Sequence, residues 1–150
     1  MTVRVQSEDF QVGDEIARLR AGNPRVGAVV SFIGTVRDLN EGQGVSTLTL
    51  EHYPGMTERS LADICDQARA RWDLEDLLVI HRYGELRPLD QIVLVVTTSA
   101  HRGEAFLACE FIMDYLKTQA PFWKKETTPQ GERWVQARDT DDEAAQRWST

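Results

Sequence analysis

The chain has 150 residues, 41% of them apolar and 27% charged, which is the composition of one globular domain with a buried core, not of a disordered or fibrous chain. No apolar run approaches the roughly 20 residues of a bilayer-spanning helix, and the N-terminal MTVRVQSEDF lacks the apolar core of a secretory signal, so a cytoplasmic single domain over 1–150 is expected. A formal net charge of −7 argues against nonspecific binding to nucleic acid or anionic membranes, so a local basic cluster stands out.

In chain order, TVRV (2–5) alternates like a short strand and VGDEIARLR (12–20) has the pattern of a first helix. GAVVSFIGTVR (27–37) has the near-continuous apolarity of a buried strand. RDLNEGQGVS (37–46) is rich in turn formers and reads as an exposed loop, after which STLTLEHY (46–53) alternates as a strand that stops at Pro54–Gly55. Thr57 suits the N-cap of a helix in which Leu61, Ile64, Cys65, Ala68 and Trp72 recur at helical spacing. LLVIHRYG (77–84) and QIVLVVTTS (91–99) read as strands joined by a loop holding Pro88, and HRGEAFLACEFIMDYLKTQA (101–120) as a long helix. FWKKETT and RWVQAR flank the turn TPQGE as a hairpin. DTDDEAAQRW closes the chain as a short helix with its carboxylates near the favoured N-terminal end. No repeat or linker divides the chain. Strands and helices mix without a βαβ rhythm, which predicts an α+β fold: a mixed or antiparallel sheet with packed helices and a C-terminal β-hairpin.

Familiar catalytic signatures are missing: there is no GxGxxG, GxxxxGK[ST], HExxH or GxSxG. His52, His81 and His101 lack metal-ligand spacing, and neither a metal nor a cofactor is expected. Cys65 and Cys109 sit among apolar neighbours on predicted helices, without CxxC spacing, and read as reduced packing residues.

The stretch DYLKTQAPFWKKE (114–126) sets lysines beside aromatic residues across a proline. On the preceding helix Ala105, Phe106, Cys109, Ile112, Met113 and Leu116 form an apolar stripe with Lys117 at its edge. A lysine there also suits a plain role, its stem covering apolar surface and its ammonium in water. Ala120–Pro121 ends the helix. Alternation along the following strand puts Phe122 and Lys124 on one face and Trp123 and Lys125 on the other. Lys117 and Lys124 can then converge at the helix-to-strand corner, although a solvated hairpin edge would use lysines too.

TSAHR (98–102) opens the same helix, where free N–H groups, the dipole, His101 and Arg102 favour an anion; a capped helix with a solvated Arg102 satisfies the local sequence as well. Arg37 ends a strand at the Gly-rich loop, a common place for a surface arginine. Together Arg37, His101, Arg102, Lys117 and Lys124 lie at the ends of elements and can supply cations for an anionic, phosphorylated ligand.

LEHYPGMTE (50–58), VIHRYGEL (79–86), TSAHR (98–102), FIMDYLKTQAPFWKKE (111–126) and GERWVQAR (131–138) resemble the MoaE family, the large catalytic subunits of molybdopterin synthase. The motifs keep the family's order and spacing from about residue 27 to 148, while the first 25 residues match only in character. The resemblance implies an α/β-hammerhead-like fold and a sulfurtransferase. Such an enzyme converts a cyclic pyranopterin monophosphate precursor into molybdopterin by adding the two sulfurs of the dithiolene that later binds molybdenum. It also implies a small ubiquitin-like sulfur-carrier subunit with a thiocarboxylated Gly-Gly tail as partner, one at each outer end of a central self-dimer, making a heterotetramer.

Residue by residue, the family's substrate-anchoring arginine falls on Arg37, after Thr35 and Val36, and its His-Arg pair on His101 and Arg102. Its essential lysine falls on Lys117, and its second active-site lysine with two neighbours on Lys124, Lys125 and Glu126. The resemblance thus names Lys117 and Lys124 as catalytic, and the others as substrate-binding with them. The loop DLNEGQG departs from the family, so contacts of 38–45 are unassigned. On this reading Lys117 stands at the edge of an apolar pocket whose desolvation lowers its pKa. Phe122 and Trp123 are packing that fixes the corner, and Lys125 points away. His101 and Arg102 precede Lys117 on one helix by roughly 23 Å, so a single ligand would need the pair from the other subunit of a two-fold dimer. A non-catalytic phosphate- or pterin-binding module is the second reading, opposed by the intact Lys117 and Lys124. Phosphoryl transfer lacks a phosphate loop and metal-binding carboxylates.

Overall fold

Two apolar runs form adjacent antiparallel strands, β4 (Asp76–Arg82) and β6 (Gln91–Ser99), in a computed structural model that describes residues 2–37, 47–128, 131–135 and 139–149. β1 (Val3–Gln6) adds in parallel beside β4 and β2 (Ala28–Thr35) antiparallel beside β6, giving one mixed sheet ordered β1-β4-β6-β2. Both faces of its centre are covered, which is why these strands read as continuous apolar runs. Leu77, Val79, Val93 and Val95 pack under the helices α2 (Met56–Arg71) and α3 (Arg102–Gln119). Leu78, Ile80, Leu94 and Val96 pack on the other side with Phe10 and with Val12, Ile16 and Leu19 of α1 (Val12–Arg20). Each such buried aliphatic side chain contributes about 1.5–3 kcal/mol of transfer free energy.

A second, antiparallel sheet is ordered β5-β3-β7-β8, from β3 (Thr47–His52), β5 (Gly84–Leu86), β7 (Phe122–Thr128) and β8 (Gly131–Val135). Its inner face closes a third core, in which Leu48, Leu50 and Leu86 pack with Val36, and Ile92 lies against them. The predicted hairpin is therefore half of this sheet. α4 (Asp139–Gln146) follows and packs along α3, and just beyond it the Trp148 indole Nε1–H donates to Asp114 at 2.6 Å. Among the described residues no helix is long and apolar enough to cross a membrane.

Several expectations need correction. β2 is not buried: it lies at a sheet edge, with Val29, Phe32 and Ile33 36%, 40% and 37% exposed. Apolarity along a strand records what it is built to meet, including surfaces outside its own chain. Thr57 is not the cap of α2. The helix starts at Met56 after Gly55, whose positive φ of 85° suits glycine and whose N–H donates to Glu58 at 2.8 Å. The Thr57 hydroxyl instead donates to the Tyr53 carbonyl at 2.9 Å.

In α3 the expected Ala105, Cys109, Ile112 and Leu116 are buried, Met113 is half-buried, and Ala108 and Phe111 join the core, whereas Phe106 is 60% exposed. The buried arc is centred near Ile112, and Phe106 lies roughly 120° round the helix from it. The loop expected around Pro88 begins later than predicted because β5 precedes it. Of the loop RDLNEGQGVS, residues 38–46 lie outside the described residues, as do 129–130 of TPQGE and 136–138 of RWVQAR.

Candidate functional site

Pro121 stops α3, and the Phe122 N–H turns back to the Ala120 carbonyl at 2.9 Å, so the chain enters β7 at once. β7 then pairs with β3 in the register His52↔Phe122, Leu50↔Lys124 and Leu48↔Glu126 on one face, and Glu51↔Trp123 and Thr49↔Lys125 on the other. The first face turns inward: Leu48 and Leu50 are core residues and Glu126 is buried. Lys124 therefore rises from the inner face, as alternation predicts. Lys125 lies on the outer face, paired with Glu132 at 2.9 Å and 5.4 Å from the Trp134 ring centroid. Its hydrogen bond to the Glu132 carboxylate raises the Lys125 pKa. Trp123 is 48% exposed, so Phe122 alone packs the corner and the expectation for Trp123 is corrected.

Phe122 reaches a histidine. Its ring stacks on the His81 imidazole with centroids 3.7 Å apart and planes 18° apart. His52 stands 6.1 Å from the same phenyl ring and 4.6 Å from Tyr83. His81 is buried near the end of β4, and its Nδ1–H donates to the Arg82 carbonyl at 2.8 Å. Burial pushes the His81 pKa down to about 3, and the charges of Lys117, Lys124 and His52 push the same way against the Arg82 carbonyl. Lys117 from α3 and Lys124 from β7 thus both bear on one neutral imidazole. Sequence reasoning singled out the two lysines but missed His81, although a histidine inside the apolar run LLVIHRY was a visible signal.

Lys117 itself is exposed on this chain, one turn beyond Met113. Roughly 140° separates it from the buried Ile112, so this chain alone does not supply the desolvation expected of its surroundings.

The remaining candidates lie elsewhere. Thr35 is exposed at the end of β2, where the register with β6 shifts, and Val36 is buried. The Val36 N–H donates to Asp90 and its carbonyl accepts from Leu89, both at 2.8 Å, which fixes the chain just before the exposed Arg37. His101 and Arg102 are exposed at the start of α3, in a groove of about 480 Å³ that Gly27, Ala100 and Gly103 complete. The Gly27 N–H donates to the Ser99 carbonyl at 3.0 Å, and a Cβ on Gly27 would lie 2.2 Å from the Ala100 carbonyl oxygen, so only glycine allows this approach. Neither lysine lines the groove. Within one chain Lys117 and Lys124 lie on either side of the Pro121 corner, in the last turn of α3 and on the inner face of β7, whereas His101 and Arg102 stand at the far end of α3. Cys65 and Cys109 are free and buried, and burial pushes both thiols up to about 12, so neither is a ready nucleophile.

The family model described as MoaE protein matches residues 5–119. A molybdopterin synthase catalytic subunit of Ralstonia nicotianae is 69% identical over 147 residues, 98% of this chain and 84% of that protein. Among solved structures, a molybdopterin biosynthesis MoaE protein from Burkholderia ambifaria superposes with a TM-score of 0.85 at 57% identity, covering 99% of this chain and 98% of that one. A molybdopterin synthase structure from Staphylococcus aureus superposes with a TM-score of 0.84 at 32% identity, covering 91% and 98%. A matched fold, a family model over most of the chain and relatives that cover nearly all of it agree: this chain belongs to the MoaE family.

Proposed function

We infer that this chain is the catalytic subunit of a molybdopterin synthase. It converts cyclic pyranopterin monophosphate into molybdopterin with sulfur from the thiocarboxylated tail of a small carrier subunit. The observation that carries this reading is the α3-to-β7 corner at Pro121, which puts Lys117 in the last turn of α3 and Lys124 on the inner face of β7, both within electrostatic reach of the buried His81. The sequence contains no lysine besides these two and Lys125; every other basic side chain of that length is arginine. Arginine holds its charge throughout, whereas a lysine amine can lose a proton when desolvated, so lysine suits proton movement and arginine suits phosphate anchoring. With both cysteines buried and protonated, the sulfur nucleophile comes from the partner, and this chain binds, polarises and moves protons.

Arg37 anchors the substrate beside Thr35 and Val36, Lys117 and Lys124 act at the reacting centre, and Lys125 and Glu126 flank them. His101 and Arg102 reach the same ligand from a second copy of the chain. The exposed apolar residues Val29, Phe32 and Ile33 of β2, with Phe106 and Leu107 of α3, support that self-dimer. Carrier subunits at its two ends complete a heterotetramer, and docking of a tail beside Lys117 supplies the desolvation that the isolated chain lacks. The 150 residues work as one domain, in the cytoplasm, with no resident cofactor. The test is reconstitution: the purified chain yields molybdopterin from precursor only when thiocarboxylated small subunit is added. Product formed with the carboxylate form alone, or none formed with the thiocarboxylate, refutes the reading.

A further inference from the structure

We propose that His81 is a positioning residue of this site: its imidazole, stacked face-on against Phe122, holds the α3-to-β7 corner in the geometry that aims Lys117 and Lys124 at one substrate. The inference rests on the synthase reading above.

Three observations carry it. The ring is held from two directions, by the Phe122 face 3.7 Å away and by the Nδ1–H bond of 2.8 Å to the Arg82 carbonyl, so its plane and position are fixed by β4. Phe122 is the first residue of β7, directly after the proline that ends α3, so its placement sets where both elements meet. Lys124 follows it by two residues on the same strand face, and Lys117 lies in the last turn of α3. A ring fixed by the central sheet therefore sets the distance between the two amines, which sit on elements that contact that sheet differently. His81 is also uncharged where two lysine charges bear on it, so it holds the corner without competing for the cations.

Displacing a catalytic group by about 1 Å can cost on the order of a hundredfold in rate while leaving remote binding contacts intact. The stack, not the ring nitrogens, is assigned the positioning role, and this separates the variants. In the assembled synthase with thiocarboxylated small subunit, His81→Leu, apolar and of similar size, should lower kcat by roughly 10- to 100-fold with KM for the precursor within about threefold. His81→Phe, which keeps a flat ring on Phe122, should restore most of that loss. From the other side Phe122→Leu should lower kcat and Phe122→Tyr should not, and these two variants carry the test if a His81 variant fails to fold by near-UV circular dichroism. Because the two rings act as one unit, the double variant His81→Leu/Phe122→Leu should be no slower than the slower single variant.

Folded leucine variants with wild-type kcat overturn the proposal, as do losses confined to KM or two single losses that multiply in the double variant. A folded His81→Phe as slow as His81→Leu overturns it by assigning the role to the imidazole nitrogens. If the wild-type synthase makes no molybdopterin, the functional reading fails. If it is active and the leucine variants match it, only the role of His81 fails.

Discussion

Lowering the pH from 7.5 to 5 should remove about 2 kcal/mol of folding stability through His81 alone. The imidazole is 5% exposed, and burial first, then the nearby positive charges, pushes its pKa from 6.5 down to about 3. In the unfolded chain the same histidine takes up a proton below 6.5, while the folded protein refuses it until about pH 3. Its stabilising contribution is therefore intact above pH 6.5 and lost progressively as the pH falls toward 3. At pH 5 the unfolded state is 1.5 pH units below its own midpoint, and at 1.36 kcal/mol per unit the difference is about 2 kcal/mol.

Urea unfolding at pH 7.5 and 5, followed by tryptophan fluorescence at one fixed protomer concentration, measures this loss. His81→Asn is the reference, since it does not titrate and its amide can still donate to the Arg82 carbonyl. Asp9, whose pKa is lowered chiefly by a hydrogen bond from Gln91, is common to both proteins and cancels. The wild type should lose about 2 kcal/mol more than His81→Asn over this interval. Losses equal to within about 0.5 kcal/mol would show that His81 is not held neutral, and the electrostatic account of the corner would fail.

Lys117→Ala should abolish sulfur transfer while urea unfolding stays close to wild type, because the side chain is exposed and outside the core; near-normal product formation removes the central assignment. Arg37→Ala should raise KM for the precursor and Lys124→Ala should lower kcat as well as raise KM, whereas Lys125→Ala, losing its outer-face pairing with Glu132 and its place over the Trp134 ring, should change activity little in the same assay. Cys65→Ala/Cys109→Ala should retain sulfur transfer and lose roughly 1 kcal/mol per site from small cavities; a folded but inactive double variant would route sulfur through this chain's own thiols. Mixing inactive Arg102→Ala with inactive Lys117→Ala chains should restore activity, since each mixed dimer holds one pocket with both residues intact. Activity at parental level after verified subunit exchange refutes the shared site.

Local pattern was enough to find most elements. The apolar periodicity of 12–20 matches α1, and QIVLVVTTS matches β6 residue for residue, since patterns of this length answer to one dominant core contact. The break at Ala120–Pro121 and the alternation after it were equally legible, because proline geometry and strand pleat are local, and they placed Lys124 and Lys125 on opposite faces. The family motifs were legible as well. Which sheet each strand joins was not: the hairpin of β7 and β8 and the strands β3 and β5 form a second sheet through pairings far apart in sequence.

Nor could sequence say that β2 lies at an edge, that Phe106 faces outward or that Lys117 is exposed, because an apolar residue reads the same whether its own core or another surface covers it. His81 shows the division most clearly. Its place in an apolar run was visible, but its neutrality depends on Phe122, Lys117 and Lys124, which lie some forty residues further along the chain. Residue chemistry follows from sequence, whereas a pKa follows from burial and neighbouring charge, and those exist only once the chain has folded.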